Sequence, residues 1–91
     1  MAIVVTCTPT AMTAAQYDEV IRRLEAAGAG TPPGRLHHVV ASDGANLRVV
    51  DVWESPQAFE RFGETLVPIL QQMGIALPPP EIRQVHNIIG G

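Results

Sequence analysis

The spacing of hydrophobic and polar positions changes along the chain, and each spacing predicts a different element. The run from Ala2 to Thr8 is rich in β-branched residues and predicts a strand buried on both faces. A helical period follows, because apolar side chains recur at Tyr17, Val20, Ile21 and Leu24. The first third of the chain therefore predicts a strand followed by an amphipathic helix.

This first helix carries marked end signals. Thr13 and Gln16 match the T-x-x-Q capping box, in which each side chain satisfies a backbone N–H of the other residue. Met12 and Tyr17 flank the box as a hydrophobic staple. Gly28 fits the position just beyond the last turn, where a left-handed backbone is favoured. The helix is therefore predicted to begin after Thr13 and to end before Gly28.

The middle of the chain predicts a β-hairpin. The β-rich runs Arg35 to Ser42 and Asn46 to Glu54 flank the dipeptide Asp43-Gly44, which is a strong turn signal. Two strands joined by so short a loop pair in the antiparallel direction. We therefore expect these two runs to lie side by side in one sheet.

A second helix and a last strand complete the pattern. Ser55 is a good N-cap and Pro56 fits the first helical position. Pro68 is predicted to kink or break this helix, because it lacks a backbone N–H. The proline-rich segment 76–81 predicts a stiff extended connector, and 82–89 (IRQVHNII) predicts the fourth strand.

The order β-α-β-β-α-β predicts an α+β, ferredoxin-like fold with sheet order 4-1-3-2, as a single domain over residues 1–91. Two helices cover only one face of such a sheet, so the other face needs a different partner. The chain is 46% hydrophobic and only 16% charged, which suggests that another subunit covers part of its surface. We therefore expect a homodimer in which two sheets form an α/β barrel.

Alternation along the hairpin sorts its residues into two faces. If two or four residues form the loop, facing positions sum to an odd number, and the parity fixes which side chains share a face. The mixed face comprises Leu36, His38, Val40, Leu47, Val49, Asp51 and Trp53, and the aliphatic face comprises His37, Val39, Ala41, Arg48, Val50 and Val52. We expect the aliphatic face to pack against the helices. The mixed face is suited to line a cavity in which a few polar groups orient an apolar ligand.

The mixed face holds the candidate chemistry. Asp51 stands two residues before the only tryptophan, Trp53, in an otherwise apolar strand, and a buried carboxylate needs a partner. His38 is the nearest one, so His38 and Asp51 are predicted as an acid/base pair. His86 joins them if its strand presents it to the same face. An equally open alternative is a satisfied polar contact in a dimer interface. The predicted ligand-binding residues are Trp53, Leu36, Val40 and Val49.

Composition excludes several kinds of chemistry. The chain has no lysine, which excludes Schiff-base catalysis, lysine-bound pyridoxal phosphate and a P-loop. Cys7 is the only cysteine, so an intrachain disulfide and a cysteine-based zinc site are excluded too. His37 and His38 point to opposite faces and cannot chelate one ion. We expect no metal and no cofactor.

Charge and hydropathy also limit the partners. The net charge of −3 and the lack of a basic cluster argue against nucleic-acid binding. No apolar run approaches the roughly 20 residues that span a bilayer, so we expect no membrane association. The first residues lack the pattern of a signal peptide, which predicts a cytoplasmic protein. The expected partners are a second copy of the chain and a small apolar or aromatic molecule.

The stretch VVDVWESPQAFERF, residues 49–62, together with the capped first helix and the sequence HHVV, resembles the dimeric α+β barrel superfamily. The chain is most similar to small proteins of the antibiotic-biosynthesis-monooxygenase type, in particular actinobacterial members without an assigned activity. The resemblance covers essentially the whole chain, with the W-x-S-x-x-A-F motif at Trp53 to Phe59 as its core. It implies a face-to-face dimer in which each subunit has its own cavity.

The resemblance implies more than one function. Some members of the superfamily oxidise aromatic polyketides without a cofactor, some cleave haem, and others only bind a ligand. Haem-cleaving members use an Asn, a Trp and a His where this chain has Thr6 or Cys7, Phe62 and Gln72, which argues against haem degradation. Two functions stay open: a binder of an apolar or aromatic molecule with cofactor-independent monooxygenase or acid/base chemistry, and a non-catalytic ligand-binding or accessory dimer.

Overall fold

One antiparallel sheet and two helices make up the part of the chain described by the structure, a computed structural model that covers residues 1–44 and 46–90, without the side chain of Asp43. The elements are, in order, β1 (Ile3–Cys7), α1 (Ala14–Ala26), β2 (Arg35–Asp43), β3 (Asn46–Trp53), α2 (Pro56–Gln72) and β4 (Glu81–Gln84). The strand order is β2-β3-β1-β4, with every pair antiparallel. The predicted ferredoxin-like order 4-1-3-2 is confirmed.

The hairpin between β2 and β3 forms as expected. Ser42 pairs with Leu47 and Asp43 with Asn46. Gly44 has a φ of 64°, a left-handed conformation that glycine adopts without strain. Asp43, the first residue of the predicted Asp43-Gly44 turn, is thus paired within the ladder, and Ala45 lies outside the described residues.

Both ends of α1 follow the sequence signals. The backbone N–H of Gln16 donates to the Thr13 hydroxyl at 3.1 Å, and the N–H of Thr13 donates to the Gln16 side chain at 2.9 Å. At the other end, Gly28 has a φ of 76°, and the N–H of Ala29 donates to the carbonyl of Leu24 at 2.8 Å. This Schellman motif closes the last turn. The capping box therefore fixes the start of α1 at Ala14, which places Tyr17 in its first turn.

Pro68 lies inside the second helix, at the position where the sequence predicts a kink or a break. Ser55 caps it as expected, since its hydroxyl accepts the N–H of Ala58 at 3.2 Å. The helix then continues through Pro68 as one element to Gln72 instead of breaking there. Pro68 is exposed, whereas Ile69 and Leu70 immediately after it are buried in the core. Burial of these two side chains offsets the lost hydrogen bond.

The last strand is shorter than predicted, covering Glu81–Gln84 instead of residues 82–89. It pairs with β1, and Gln84 faces Ile3, the first residue of that strand. Within residues 85–90 of the described part, one more backbone hydrogen bond to β1 or its flank follows, from the N–H of Val85 to the carbonyl of Ala2, at 3.0 Å. The strand ends because its pairing partner begins no earlier than Ile3. No described helix is long and apolar enough to cross a membrane.

The two helices cover the opposite face of the hairpin from the one expected. Trp53 on β3 is 0% exposed and packs against Phe59 and Phe62 of α2, with ring centroids 5.8 and 5.2 Å away. On β2, His38 contacts Tyr17 of α1. The mixed face therefore lies beneath the helices. The aliphatic face turns outward, where Val39 is 44% exposed, and its predicted packing against the helices is wrong. The reason is that α1 supplies a polar partner and α2 supplies two rings for Trp53.

Candidate functional site

The register of the hairpin brings the predicted pair together. His38 faces Asp51 across the β2–β3 ladder, as parity predicts. A bulge then interrupts the ladder between Arg35 and His37, so that Arg35 faces Trp53 and Leu36 is the extra residue. Leu36 is 57% exposed. The prediction that Leu36 lies on the mixed face is therefore wrong, and Arg35 takes that place.

A chain of three hydrogen-bonded side chains joins α1 to the sheet. The Tyr17 hydroxyl lies 2.6 Å from Nε2 of His38, and Nδ1 of His38 contacts Oδ1 of Asp51. A carboxylate only accepts hydrogen bonds, so Nδ1 carries the proton in the neutral imidazole. Nε2 is then an acceptor, and the Tyr17 hydroxyl donates to it. The tyrosine and histidine rings are stacked, with planes 10° apart.

Burial sets the protonation state of Tyr17, the first residue of this hydrogen-bonded series. It raises the pKa of Tyr17, the positive charge of Arg35 lowers it, and the negative charges of Asp51 and Asp18 raise it further. The net direction is upward, so Tyr17 is a neutral phenol at physiological pH. A neutral phenol can both donate and accept a hydrogen bond, which a standing phenolate cannot do.

Cys7 lies on β1, directly beside this chain of side chains. Burial raises the pKa of its thiol, and the negative charge of Asp51 raises it further. The protonated thiol is a weak nucleophile, because thiolate is the reactive form. Cys7 also packs against the hydrophobic core. The structure therefore places Cys7 as a small apolar side chain beside Asp51.

These side chains open onto a cleft between the sheet and the two helices. The cleft has a cavity volume of about 80 Å³. Most of its lining is apolar and comes from the helices, with Val20, Ile21 and Leu24 of α1 and Phe59, Phe62 and Leu66 of α2. The polar side chains on its lining are Tyr17, Arg35, His38 and Asp51. An apolar cleft with a few convergent polar groups is typical of small-molecule sites.

Three of the predicted site residues line this cleft: His38, Asp51 and Val49. Val40 does not line it but is partly buried against the core below. Trp53 is fully buried behind Phe59 and Phe62, so it supports the lining instead of forming it. Its indole N–H is buried and has no hydrogen-bond partner among the described residues.

His86 does not join His38 and Asp51. It lies on a bend beyond the end of β4 and is exposed, because the strand that was expected to carry it stops at Gln84. The placement of His86 in the predicted acid/base group is therefore wrong. Within the described residues, no cluster of three or more His, Cys, Asp or Glu side chains is arranged to hold a metal ion.

Sequence reasoning missed two members of the site, Tyr17 and Arg35. Tyr17 was assigned to the apolar stripe of α1, where it does lie, but its hydroxyl reaches the sheet. A hydroxyl on the first turn of a capped helix, next to a strand with a buried carboxylate, was the available signal. Arg35 enters the site only through the bulge. Regular alternation directs it to the other face, so the sequence held no signal for it.

Comparisons with known proteins give the fold. No protein-family model matches the sequence, and neither does any curated protein. Among solved structures, a Chloroflexus aurantiacus protein with the provisional name antibiotic biosynthesis monooxygenase matches with a TM-score of 0.70 and 22% identity, over 99% of this chain and 98% of that one. SnoaB from Streptomyces nogalater, a cofactor-independent oxygenase solved in this case as a mutant, matches with a TM-score of 0.70 and 16% identity, over 99% and 98% of the chains.

A third solved structure agrees with these two. A Caulobacter crescentus protein with the same provisional monooxygenase name matches with a TM-score of 0.66 and 21% identity, over 97% of this chain and 91% of that chain. All three matches extend over nearly the whole of both chains, so they concern the complete arrangement of sheet and helices and not one motif. The chain thus has the ferredoxin-like α+β fold of the antibiotic-biosynthesis-monooxygenase-like proteins.

Proposed function

We propose that the protein is a homodimer that binds a small apolar or aromatic molecule in the cleft and moves a proton to or from it through Tyr17, His38 and Asp51. The observation that carries this proposal is the hydrogen-bonded chain of these three side chains on the lining of an apolar cleft. A satisfied structural contact needs no adjoining cavity, whereas an acid/base group needs one that admits a ligand.

The chain of hydrogen bonds gives each residue a role. Tyr17 accepts a proton from a ligand hydroxyl or acidic C–H group while it passes its own proton to Nε2 of His38. Asp51 then stabilises the imidazolium through its contact with Nδ1. Because the surroundings are largely apolar, the charge pair that forms between His38 and Asp51 is only weakly screened. Proton transfer of this kind contributes about 10²- to 10⁴-fold to a rate.

Oxygenation without a cofactor is the reaction we propose to follow proton transfer. Removal of a proton from a hydroxylated aromatic leaves an electron-rich anion, which dioxygen can oxidise. The balance closes without a reductant, since the ring methylene in the keto tautomer of such a molecule and O₂ give a carbonyl group and water. The name of SnoaB, a cofactor-independent oxygenase of the same fold, supports this choice.

The chemistry can be tested with a panel of hydroxylated aromatics, including quinols, while oxygen consumption and Trp53 fluorescence are followed. We expect at least one compound to bind and to consume oxygen in the wild type. Tyr17→Phe and His38→Ala should lose turnover by about 10²-fold or more. His37→Ala removes a neighbouring imidazole on the other face and should leave turnover nearly unchanged. Binding without turnover would favour the non-catalytic ligand-binding module, and no binding at all would overturn the proposal.

The outward aliphatic face supports the homodimer. Val39 is 44% exposed, and Val50 opposite it in the ladder is only partly buried. Both described helices lie on the other side of the sheet. A second copy that presents the same face would bury these side chains, as isologous dimers do. Two sheets meeting in this way form the barrel that the sequence predicts.

The dimer is tested by sedimentation equilibrium. The wild type is expected at about twice the chain mass of 9.8 kDa. Val39→Glu places a charge in the proposed interface and should give the single-chain mass. Val67→Glu is the matched control, since Val67 is 49% exposed but lies on α2. A folded wild-type monomer, or equal behaviour of the two variants, would contradict the dimer.

A further inference from the structure

Arg35 is the cation on the lining of the cleft. The bulge at Leu36 directs it there, facing Trp53 in the ladder. Its guanidinium donates to the carbonyl of Gly30 at 3.1 Å and lies 5.8 Å from the centre of the Phe62 ring. Arginine has five N–H donors, and this contact uses one of its two terminal nitrogens. Among the described side chains, no carboxylate lies within ion-pair distance of Arg35.

The other charged side chain on the lining is already engaged. Asp51 contacts Nδ1 of His38 and its side chain is only 11% exposed. Arg35 therefore presents donors that the described residues leave unused, at the edge of a lining that is otherwise mostly apolar. A guanidinium fits the two oxygens of a carboxylate, and hydrogen bonds between charged groups are strengthened where water is scarce.

The position of Arg35 relative to the proton-transfer chain matters for the ligand. Arg35 faces Trp53, whereas His38 faces Asp51, two residues earlier on β3. At the rise of a β-strand, these two ladder positions lie about 6.6 Å apart. One aromatic ring spans such a distance. A ring lying on the apolar lining can thus present an anionic group to Arg35 while its other end reaches Tyr17.

We propose that Arg35 binds an anionic group of the ligand, so that the cleft selects aromatic acids over their uncharged analogues. This inference rests on the proposed function of the cleft and names the class of molecule that the cleft takes. Gly34 supports the placement of Arg35. Its φ is 85°, and a Cβ at this position would lie 2.6 Å from that of Ala58, so only glycine fits.

Two probes of the same shape test the proposal. At neutral pH 2-naphthoate carries a charge, whereas 2-naphthamide does not. Calorimetric titration of the full chain should show 2-naphthoate binding about tenfold or more tightly than 2-naphthamide, as expected for charge-assisted hydrogen bonds. In Arg35→Gln the dissociation constant of 2-naphthoate should rise to that of 2-naphthamide, while the value for 2-naphthamide changes by less than about twofold.

Two further variants make the result decisive. Arg35→Lys keeps the charge without the planar fork and should retain part of the preference, which also covers the case that Arg35→Gln folds poorly. Arg61→Gln removes an exposed cation of α2 that does not line this cleft, and it should retain the full preference. Equal binding of the two probes, or a preference that survives Arg35→Gln, would overturn the role of Arg35 and leave the cleft as an aromatic site. Binding of neither probe to the wild type would count against the cleft itself.

Discussion

The two faces of the hairpin differ in which one the helices cover, and hydrophobicity alone does not predict this difference. The mixed face, with Asp51, His38 and Trp53, is covered by both helices, whereas the aliphatic face, with Val39 and Val50, is directed outward. A histidine–carboxylate pair is therefore enclosed within the single chain, whereas the valine pair at the centre of the other face is not. A polar group can be buried where a hydrogen-bonding partner is held in place for it. An aliphatic surface can stay open in the single chain where a second copy is proposed to cover it.

The difference follows from what each face needs. Asp51 is 7% exposed and requires a hydrogen-bond donor fixed at one position, which His38 and, through it, Tyr17 provide. A neighbour within the same chain can hold that geometry permanently. Valine side chains need only apolar contact, which is not directional, so any complementary surface satisfies them. The covered face thus needs directed hydrogen bonds, whereas the open face needs only apolar contact.

The largest contrast between the faces is expected in stability. Trp53→Ala removes a fully buried ring that packs against two others, and it should lower the free energy of unfolding by about 3–5 kcal/mol. Val39→Ala should cost less than about 1 kcal/mol within the single chain. Denaturant unfolding followed by circular dichroism measures both. If Val39 lies in a dimer interface, the destabilisation caused by Val39→Ala grows with protein concentration. A destabilisation by Val39→Ala that is the same at all concentrations would contradict the interface.

A smaller contrast concerns the two adjacent histidines. His38→Ala leaves the carboxylate of Asp51 without its partner, and it should destabilise the protein by about 1–3 kcal/mol. His37→Ala alters an exposed side chain on the other face and should stay within about 0.5 kcal/mol. Thermal melts of the two variants side by side provide the comparison. A larger loss in His37→Ala would mean that the open face, and not the covered one, contains the sensitive polar contact.

The smallest expected effect is a shift in the alkaline titration of Tyr17. Ultraviolet absorbance follows this residue without interference from other phenols, because the chain has one tyrosine. Burial raises the pKa of Tyr17 above its ordinary value, so ionisation should begin later than in a free tyrosine. Asp51→Asn removes a charge that raises this pKa and should lower it, whereas Arg35→Gln removes the charge that lowers it and should raise it further. Shifts in the opposite directions would place these charges outside the surroundings of Tyr17.

The same shift gives a dependence of stability on pH. The folded state holds the proton of Tyr17 more tightly than the unfolded chain does, since the pKa of Tyr17 is raised on folding. This contribution is fully present below the unfolded pKa of about 10 and is lost as the pH rises through the folded value. Tyr17→Phe should therefore flatten the alkaline fall of the melting temperature, and a fall unchanged by that variant would contradict the link.

Local patterns in the sequence predicted much of the fold. The capping box at Thr13, the hairpin register and the pairing of His38 with Asp51 each depend on a few neighbouring residues, and the structure confirms them. The strand order was also predicted, because right-handed crossovers leave little choice. What failed depends on distant contacts. The end of β4 is set by where β1 begins, and the continuation of α2 through Pro68 is set by the core beyond it.

The site divides in the same way. His38 and Asp51 could be paired from alternation alone, whereas the covered side of the sheet could not be chosen without knowing that Tyr17 reaches across from α1. Alternation predicted Leu36 on the cleft side, and one bulge replaced it with Arg35. A bulge depends on how the preceding loop meets the strand, here through Gly34 and its close approach to Ala58. The alternation of residues within β2 therefore does not predict the bulge.

The bulge at Leu36 also bears on how proteins of this fold diverge. If the loop before β2 took up the extra residue, Leu36 would face Trp53 and the guanidinium of Arg35 would turn to the opposite side of the sheet. A shift of one residue between loop and strand thus exchanges a cation for an aliphatic side chain in the cleft without changing any amino acid. In evolutionary terms, insertion or deletion of one residue in that loop would have the same effect on which side chain lines the cleft. Between proteins only 22% identical, an alignment records such an event as a gap and not as a change in the site.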